Sequence, residues 1–228
     1  ETGTGERAVF FERSTAPEPV FLDAHKQLIK ESFILHVNGR HRQLMCSAMA
    51  LAQEVGTIIS LDGGAQRYDE EMKSITEASH IVIVARDYAE KYTGTTDLEE
   101  ACRIIYERGA LIAGVTDGAN GSYFVWPDGT FYRCQAFPQE HVVDTTGAGD
   151  SFHGAFLSKL VTLLSELAPV EGLKTSTYGI DLLQHCGHSD LEKAAIFASA
   201  VAALNTQGIG GRSPLPSLQV VHKLMGLE

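Results

Sequence analysis

The sequence predicts an α/β fold carrying a mostly parallel sheet, and three observations predict it. Apolar runs such as IVIVA at 81–85 show no polar alternation, as strands covered on both faces do. Such runs alternate with longer stretches of helical period, the pattern of strand–helix–strand units. After Thr116 the pattern changes to GSYFVWPDGTFYRC, which predicts a hairpin turning at Asp128-Gly129.

The elements follow in order. Residues 8–11 form a strand-like run, and FILHV at 33–37 forms another. A helix is predicted over 43–54, after which TIISLD at 57–62 returns to strand character. A further helical stretch leads to HIVIVA at 80–85. DLEEACRIIYER at 97–108 is helical, with acidic residues early and arginine last, matching the helix macrodipole. ALIAGVT at 110–116 completes the parallel set. Beyond the hairpin, long helices are predicted near 147–166 and 189–207, and a shorter one at 218–225. Between the long helices, APVEGLKTSTYGIDLLQHCGHS reads as an extended surface connection.

Composition narrows the function. With 228 residues, 44% hydrophobic and 21% charged, the chain can bury a substantial core in one large domain or two small ones. A net charge of −11 argues against a nucleic-acid partner. It leaves nucleotide binding open, because backbone amides and Mg²⁺ can supply positive potential. Cys46, Cys102, Cys134 and Cys186 form no CxxC pair, in keeping with reduced thiols in a cytoplasmic protein. No apolar run approaches the ~18 residues of a membrane span and no signal peptide opens the chain, so no membrane partner is expected.

The most informative stretch is DTTGAGDSFHGAF at 144–156, which lies between a short extended segment (141–143) and a helix. In open α/β sheets, ligands bind beyond the carboxyl ends of the strands, where such a loop falls. Gly147 and Gly149 permit a tight turn and close approach of a ligand. The amides of Gly147, Ala148, Gly149 and Asp150 then point outward at a helix N-terminus, which suits an anion. A carboxylate in the same turn, Asp150, can act as general base to a hydroxyl. Glycines in a turn with an aspartate cap would serve a helix start equally well.

The whole string closely resembles the second signature of the ribokinase-like (PfkB) sugar-kinase family. That resemblance implies a three-layer α/β/α sandwich with a small β lid. It implies that residues 1–14 are a remnant of the lid and residues 15–228 the nucleotide-binding and catalytic core. It makes Asp150 the base that deprotonates a sugar hydroxyl, with the amides of Gly147, Ala148 and Gly149 stabilising the transferring phosphoryl group. Asp144 and Thr146 match positions that help hold a monovalent cation, K⁺, in some members. TGERAVFFERS is similar to the lid strand, where Arg7 would reach the substrate and residues 8–13 would pair two subunits as a homodimer. HVNGRH, with Gly39 and Arg40, and SLDGG resemble strand ends near the sugar. TDGANGSYF resembles the nucleotide-side turn, with Thr116, Gly118 and Gly121 against Mg·ATP. NTQGIGGRSPLPS resembles the segment lining the adenine, with Gly208, Gly210 and Gly211 in its loop.

Two departures from the family pattern matter. Many members carry Asn-x-x-Glu, tied to Mg²⁺ and phosphate, where this chain has Ala85-Arg86-Asp87-Tyr88. The ketohexokinase-like branch also lacks that motif, and its GER, HxxGR and RDxA segments look most like this chain, which implies a ketose acceptor such as fructose. Family members also place the first sheet strands, a sugar-gripping Asp and a Gly-Gly-Asn segment ahead of the lid. Here these are expected to be missing, leaving an incomplete sugar pocket and an open sheet edge. A non-catalytic nucleotide- or sugar-binding homologue is therefore the rival expectation. His185, Cys186 and His188 are read as loop residues, and Trp126 as packing at the hairpin.

Overall fold

The computed structural model describes residues 16–167 and 179–227; the lid segment with Arg7, and any pairing through it, lies outside the described residues. After helix α1 (Asp23–Glu31) the chain runs β1 (Ile34–Val37), α2 (Arg42–Val55), β2 (Ile58–Gly63), α3 (Glu71–Glu77) and β3 (Ile81–Ala85). Two helices, α4 (Arg86–Thr93) and α5 (Leu98–Glu107), lead to β4 (Ile112–Thr116). The hairpin β5 (Ser122–Val125) and β6 (Phe131–Cys134) precedes α6 (Ala148–Leu167), α7 (Gly179–Gln184), α8 (His188–Asn205) and α9 (Leu218–Leu224).

Among the described residues the strands form one sheet in the order β1-β2-β3-β4-β5-β6. β1 to β4 are parallel, with Ile34 opposite Ile58, Ser60 opposite Ile81 and Ile81 opposite Ile112. β4–β5 and β5–β6 are antiparallel. Strands that add in sequence through crossovers of one hand keep their crossover helices on one face. The other face must therefore be covered by a different part of the chain, and α6 to α9 cover it.

The burial pattern shows this directly. On β3, Val82 and Val84 join the core beneath α2 to α5, whereas Ile81 and Ile83 join the core beneath α6, α8 and α9. Both faces being covered, Ile58 to Gly63 are buried throughout, which explains the unbroken apolar runs. Phe124 stacks on Trp126 with centroids 4.6 Å apart and on Phe156 at 5.8 Å, so Trp126 is a core residue, as the hairpin reading held. The hairpin turns as expected: Gly129 sits at φ +80°, and the Asp128 carboxylate accepts the Thr130 N–H at 2.9 Å. Asp97 caps α5, its side chain accepting the Glu100 N–H at 3.0 Å.

Three local expectations change. α1 and α4 are helices that the sequence pattern did not single out; α1 is amphipathic, and Ile29 is its buried contact. The connection expected to be extended holds α7, whose Leu183 is fully buried while Gly179 packs on Ile58. Segment 141–143 joins no ladder and is tied instead by the Val143 N–H to the Thr206 carbonyl at 2.8 Å.

Candidate active site

The DTTGAGD turn is built by hydrogen bonds to its own backbone and to one distant loop. The Asp144 carboxylate accepts the Thr146 N–H at 2.8 Å with one oxygen and the Gly210 N–H at 2.8 Å with the other. The turn is thus joined to the 208–211 loop. Gly147 at φ +78° lies so close that an added Cβ would collide with Gly211 Cα and come within 2.8 Å of its carbonyl oxygen. Gly147 is required by both its dihedral and this approach.

The helix start that follows is open. The Ser151 N–H bonds the Gly147 carbonyl at 2.8 Å, closing the first turn of α6. The expected fan of four outward amides is smaller than predicted, because the Ala148 N–H bonds the Thr145 carbonyl at 3.2 Å. Those of Gly147, Gly149 and Asp150 carry no partner among the described residues. A Cβ on Gly149 would meet nothing within 4 Å, and the Asp150 side chain beside it is exposed. A helix N-terminus with unpaired donors attracts an anion, and a carboxylate at its edge can take a proton from what binds there.

The glycines assigned to the nucleotide divide into two groups. Gly118 (φ +54°) and Gly210 (φ +90°) face open space and leave room for a ligand, like Gly149. A Cβ added at Gly121 would collide with the Cys134 carbonyl, and one added at Gly208 would come within 2.8 Å of Pro214 Cβ, so both answer to chain packing. Thr116 ends β4, its hydroxyl donating to the Val84 carbonyl at 3.4 Å. A Cβ added at Gly39 (φ +80°) would come within 2.9 Å of Met72 Sδ, and Arg40 is exposed, its N–H bonding Asn38 Oδ1.

The Asn-x-x-Glu positions are filled in a way that excludes that motif's chemistry. Tyr88 is fully buried in the core, its hydroxyl 2.7 Å from Thr76 Oγ1, and burial pushes its pKa up to about 12. Arg86 instead pairs with Asp117 at 3.1 Å and Glu90 at 2.9 Å. Among the described residues no cluster of three or more His, Cys, Asp or Glu could cage a metal.

A polar group drawn from HVNGRH, SLDGG and the signature string, whose pairing the sequence did not show, lies at the ends of β1 and β2 beside α6. His153 Nε2 is 3.4 Å from Asp62 Oδ1, and Arg67 Nη1 is 3.8 Å from Asp62 Oδ2. His36 Nδ1 lies 3.2 Å from Ser60 Oγ, and the His36 and His153 rings are 5.6 Å apart. Burial pushes the His153 pKa down to about 4 against the opposing charges of Asp62 and Asp150. Desolvation likewise lowers that of His36, again opposed by Asp62 and Asp150. His153 stands within the DTTGAGDSFHGAF string and Asp62 within SLDGG, but no local pattern relates the two.

Such a sheet, covered by helices on both faces and carrying a glycine turn, an open helix start and an exposed carboxylate at one end, is the architecture of ribokinase-like proteins. Solved structures share it: ribokinase from Giardia lamblia superposes with a TM-score of 0.68 at 18% identity, covering 87% of this chain and 61% of that one. Fructokinase from Vibrio cholerae O395, crystallised with fructose, ADP and calcium ion, gives 0.64 at 22% identity, covering 84% and 60%. The chain belongs to the pfkB family of carbohydrate kinases, whose pattern matches residues 1–218.

Its relatives by sequence are 26–27% identical. Probable fructokinase-6, chloroplastic, of Arabidopsis thaliana is 26% identical over 244 residues, 98% of this chain and 58% of the relative. A bifunctional ribokinase/ribose-5-phosphate isomerase A of Fructilactobacillus sanfranciscensis is 27% identical over 240 residues, 100% and 38%. Mouse ketohexokinase is 26% identical over 167 residues, 68% and 55%. The chain thus spans between 38% and 58% of the length of these three relatives. None of the helices among the described residues is long and apolar enough to cross a membrane.

Proposed function

We propose that this protein transfers the γ-phosphoryl group of ATP to a hydroxyl of a sugar, with a ketose such as fructose as acceptor. The observation that carries the reading is the exposed Asp150 carboxylate beside the unpaired amides of Gly149 and Asp150. Asp150 takes the acceptor proton as the oxygen attacks phosphorus. The amides of Gly147, Gly149 and Asp150, at the positive end of α6, face the charge on the transferring group, and the Ala148 amide, bonded to Thr145, shapes the turn that holds them. Phosphoryl transfer asks a protein mainly for positioning and electrostatics, and the glycine turn with its open helix start supports that reading.

The nucleotide would lie over Thr116, Gly118 and Gly121 and along Gly208, Gly210 and Gly211, where Gly118 and Gly210 leave free space. Mg²⁺, arriving with the phosphates, would neutralise their charge; it keeps several waters and needs few protein ligands. A monovalent cation, K⁺, would be held near Asp144 and Thr146. The support is Asn205, whose Nδ2 donates to the Thr146 carbonyl at 3.3 Å while its buried Oδ1 has no partner. Gly39 and Arg40 would stand on the sugar side with Arg7. Residues 1–14 would be lid, the rest core, with the protein a cytoplasmic homodimer paired through the lid strand.

The test is a coupled ADP-release assay on the full natural protein against ketoses, aldoses and nucleosides, with Asp150→Asn alongside. Loss of a general base lowers turnover by about 10²–10⁴-fold, and nucleotide affinity should hold. Retained ATP binding with no sugar-dependent release would make the protein a non-catalytic binding homologue.

A further inference from the structure

Folding alone gives no reason for the polar group at the ends of β1 and β2. His153 is 3% exposed and Asp62 7%, and the His153 Nδ1 is buried without a partner. Burying an imidazole and a carboxylate is costly, and an aliphatic residue at 153 would avoid the cost. The neighbouring α6 residues Phe152, Ala155 and Phe156 are ordinary core. The arrangement has direction, however. Ser60 is fully buried and occupies Nδ1 of His36, which leaves Nε2 of this exposed residue without a bond among the described residues. The charges of Asp62 on β2 and Asp150 on α6 both act on this ring, the His153 ring is 5.6 Å from it, and Arg67 lies beyond Asp62.

Building on the kinase reading, we propose that His36 is an acceptor-contacting residue, bonding a hydroxyl of a polyhydroxylated substrate through Nε2, and that the Asp62–His153 pair positions its ring. A neutral imidazole held at one nitrogen offers a single donor or acceptor at the other, which matches a hydroxyl. His153, itself neutral, presents Nε2–H to Asp62 and fixes that carboxylate, whose second oxygen faces Arg67. Asp150 acts on the reacting hydroxyl and His36 holds another, so that the two fix which hydroxyl is presented.

The experiment compares the full natural protein with His36→Leu, His36→Gln, His153→Leu and His153→Gln. It measures kcat, KM for sugar and for ATP, and calorimetric binding of D-fructose, D-ribose and D-tagatose without nucleotide. His36→Leu should raise the sugar KM and Kd about tenfold or more, as one lost hydrogen bond to substrate does, with the ATP KM within about twofold. His36→Gln should restore most of the affinity. His153→Leu should weaken sugar binding in the same selective way, and His153→Gln, which keeps a donor for Asp62, should do so less. Unchanged sugar affinity in His36→Leu overturns the proposal, as does failure of the native protein to bind any of these sugars. Sugar binding lost in His36→Leu without turnover in the native protein would uphold the contact and reject the kinase reading.

Discussion

The Asp144 carboxylate accepts the Gly210 N–H at 2.8 Å, a contact between two loops 66 residues apart. Its other oxygen holds the Thr146 N–H, so one side chain fixes the glycine turn and registers it against the loop assigned to the nucleotide. Replacing Asp144 by Asn puts an NH₂ group opposite one of these amides. The expected cost is about 1–3 kcal/mol, with ATP affinity weakened about tenfold, read by calorimetry and thermal unfolding.

Gly147 and Gly149 should respond oppositely to alanine. At Gly147 the added Cβ meets Gly211 at a positive φ, so Gly147→Ala should cost about 1–3 kcal/mol, lower Tm by several degrees and lose nucleotide binding. At Gly149 the Cβ meets nothing of the protein. Gly149→Ala should keep its Tm, yet turnover should fall because the methyl group fills the space beside the unpaired amides. Equal Tm losses in both would contradict this division.

The buried imidazole of His153 sets a pH dependence of stability. His153 has a folded pKa near 4 against 6.5 for the free side chain, so it is neutral when folded and the unfolded chain binds the extra proton between those values. Stability is complete above about pH 6.5 and falls as pH drops toward 4, by an amount on the order of 2–3 kcal/mol. His36 and His80 are lowered in the same direction. Tm measured from pH 7.5 to 4.5 should fall, and His153→Leu should flatten the slope; an unchanged slope would show that other groups carry it.

Grafting the Asn-x-x-Glu motif back should fail. Tyr88 is a core residue bonded to Thr76, so Tyr88→Glu buries a carboxylate among apolar neighbours. Ala85→Asn with Tyr88→Glu should therefore express poorly or unfold early, with a loss of several kcal/mol by denaturant titration, in place of any gain in Mg²⁺ affinity.

Much of the architecture was legible because doubly covered strands leave unbroken apolar runs that local sequence records. FILHV, TIISLD and HIVIVA all became parallel strands, and Asp128-Gly129 made the turn it predicts. α1 and α4 were not legible: DAHKQLIKE and RDYAEKYT are short and polar, and each is held by a few buried side chains such as Ile29 and Tyr88. α7 was missed for the same reason, its Leu183 finding its place only against the assembled sheet.

The sequence by itself determined the α/β class, the glycine turn and the carboxylate at its edge, because these are contiguous and their chemistry depends on neighbours in the chain. Only the tertiary structure decided which glycines pack against backbone and which stand open, that Tyr88 belongs to the core, and that His36, Asp62 and His153 converge beside Asp150. Those facts rest on contacts between segments far apart in sequence, which exist only once both faces of the sheet are covered.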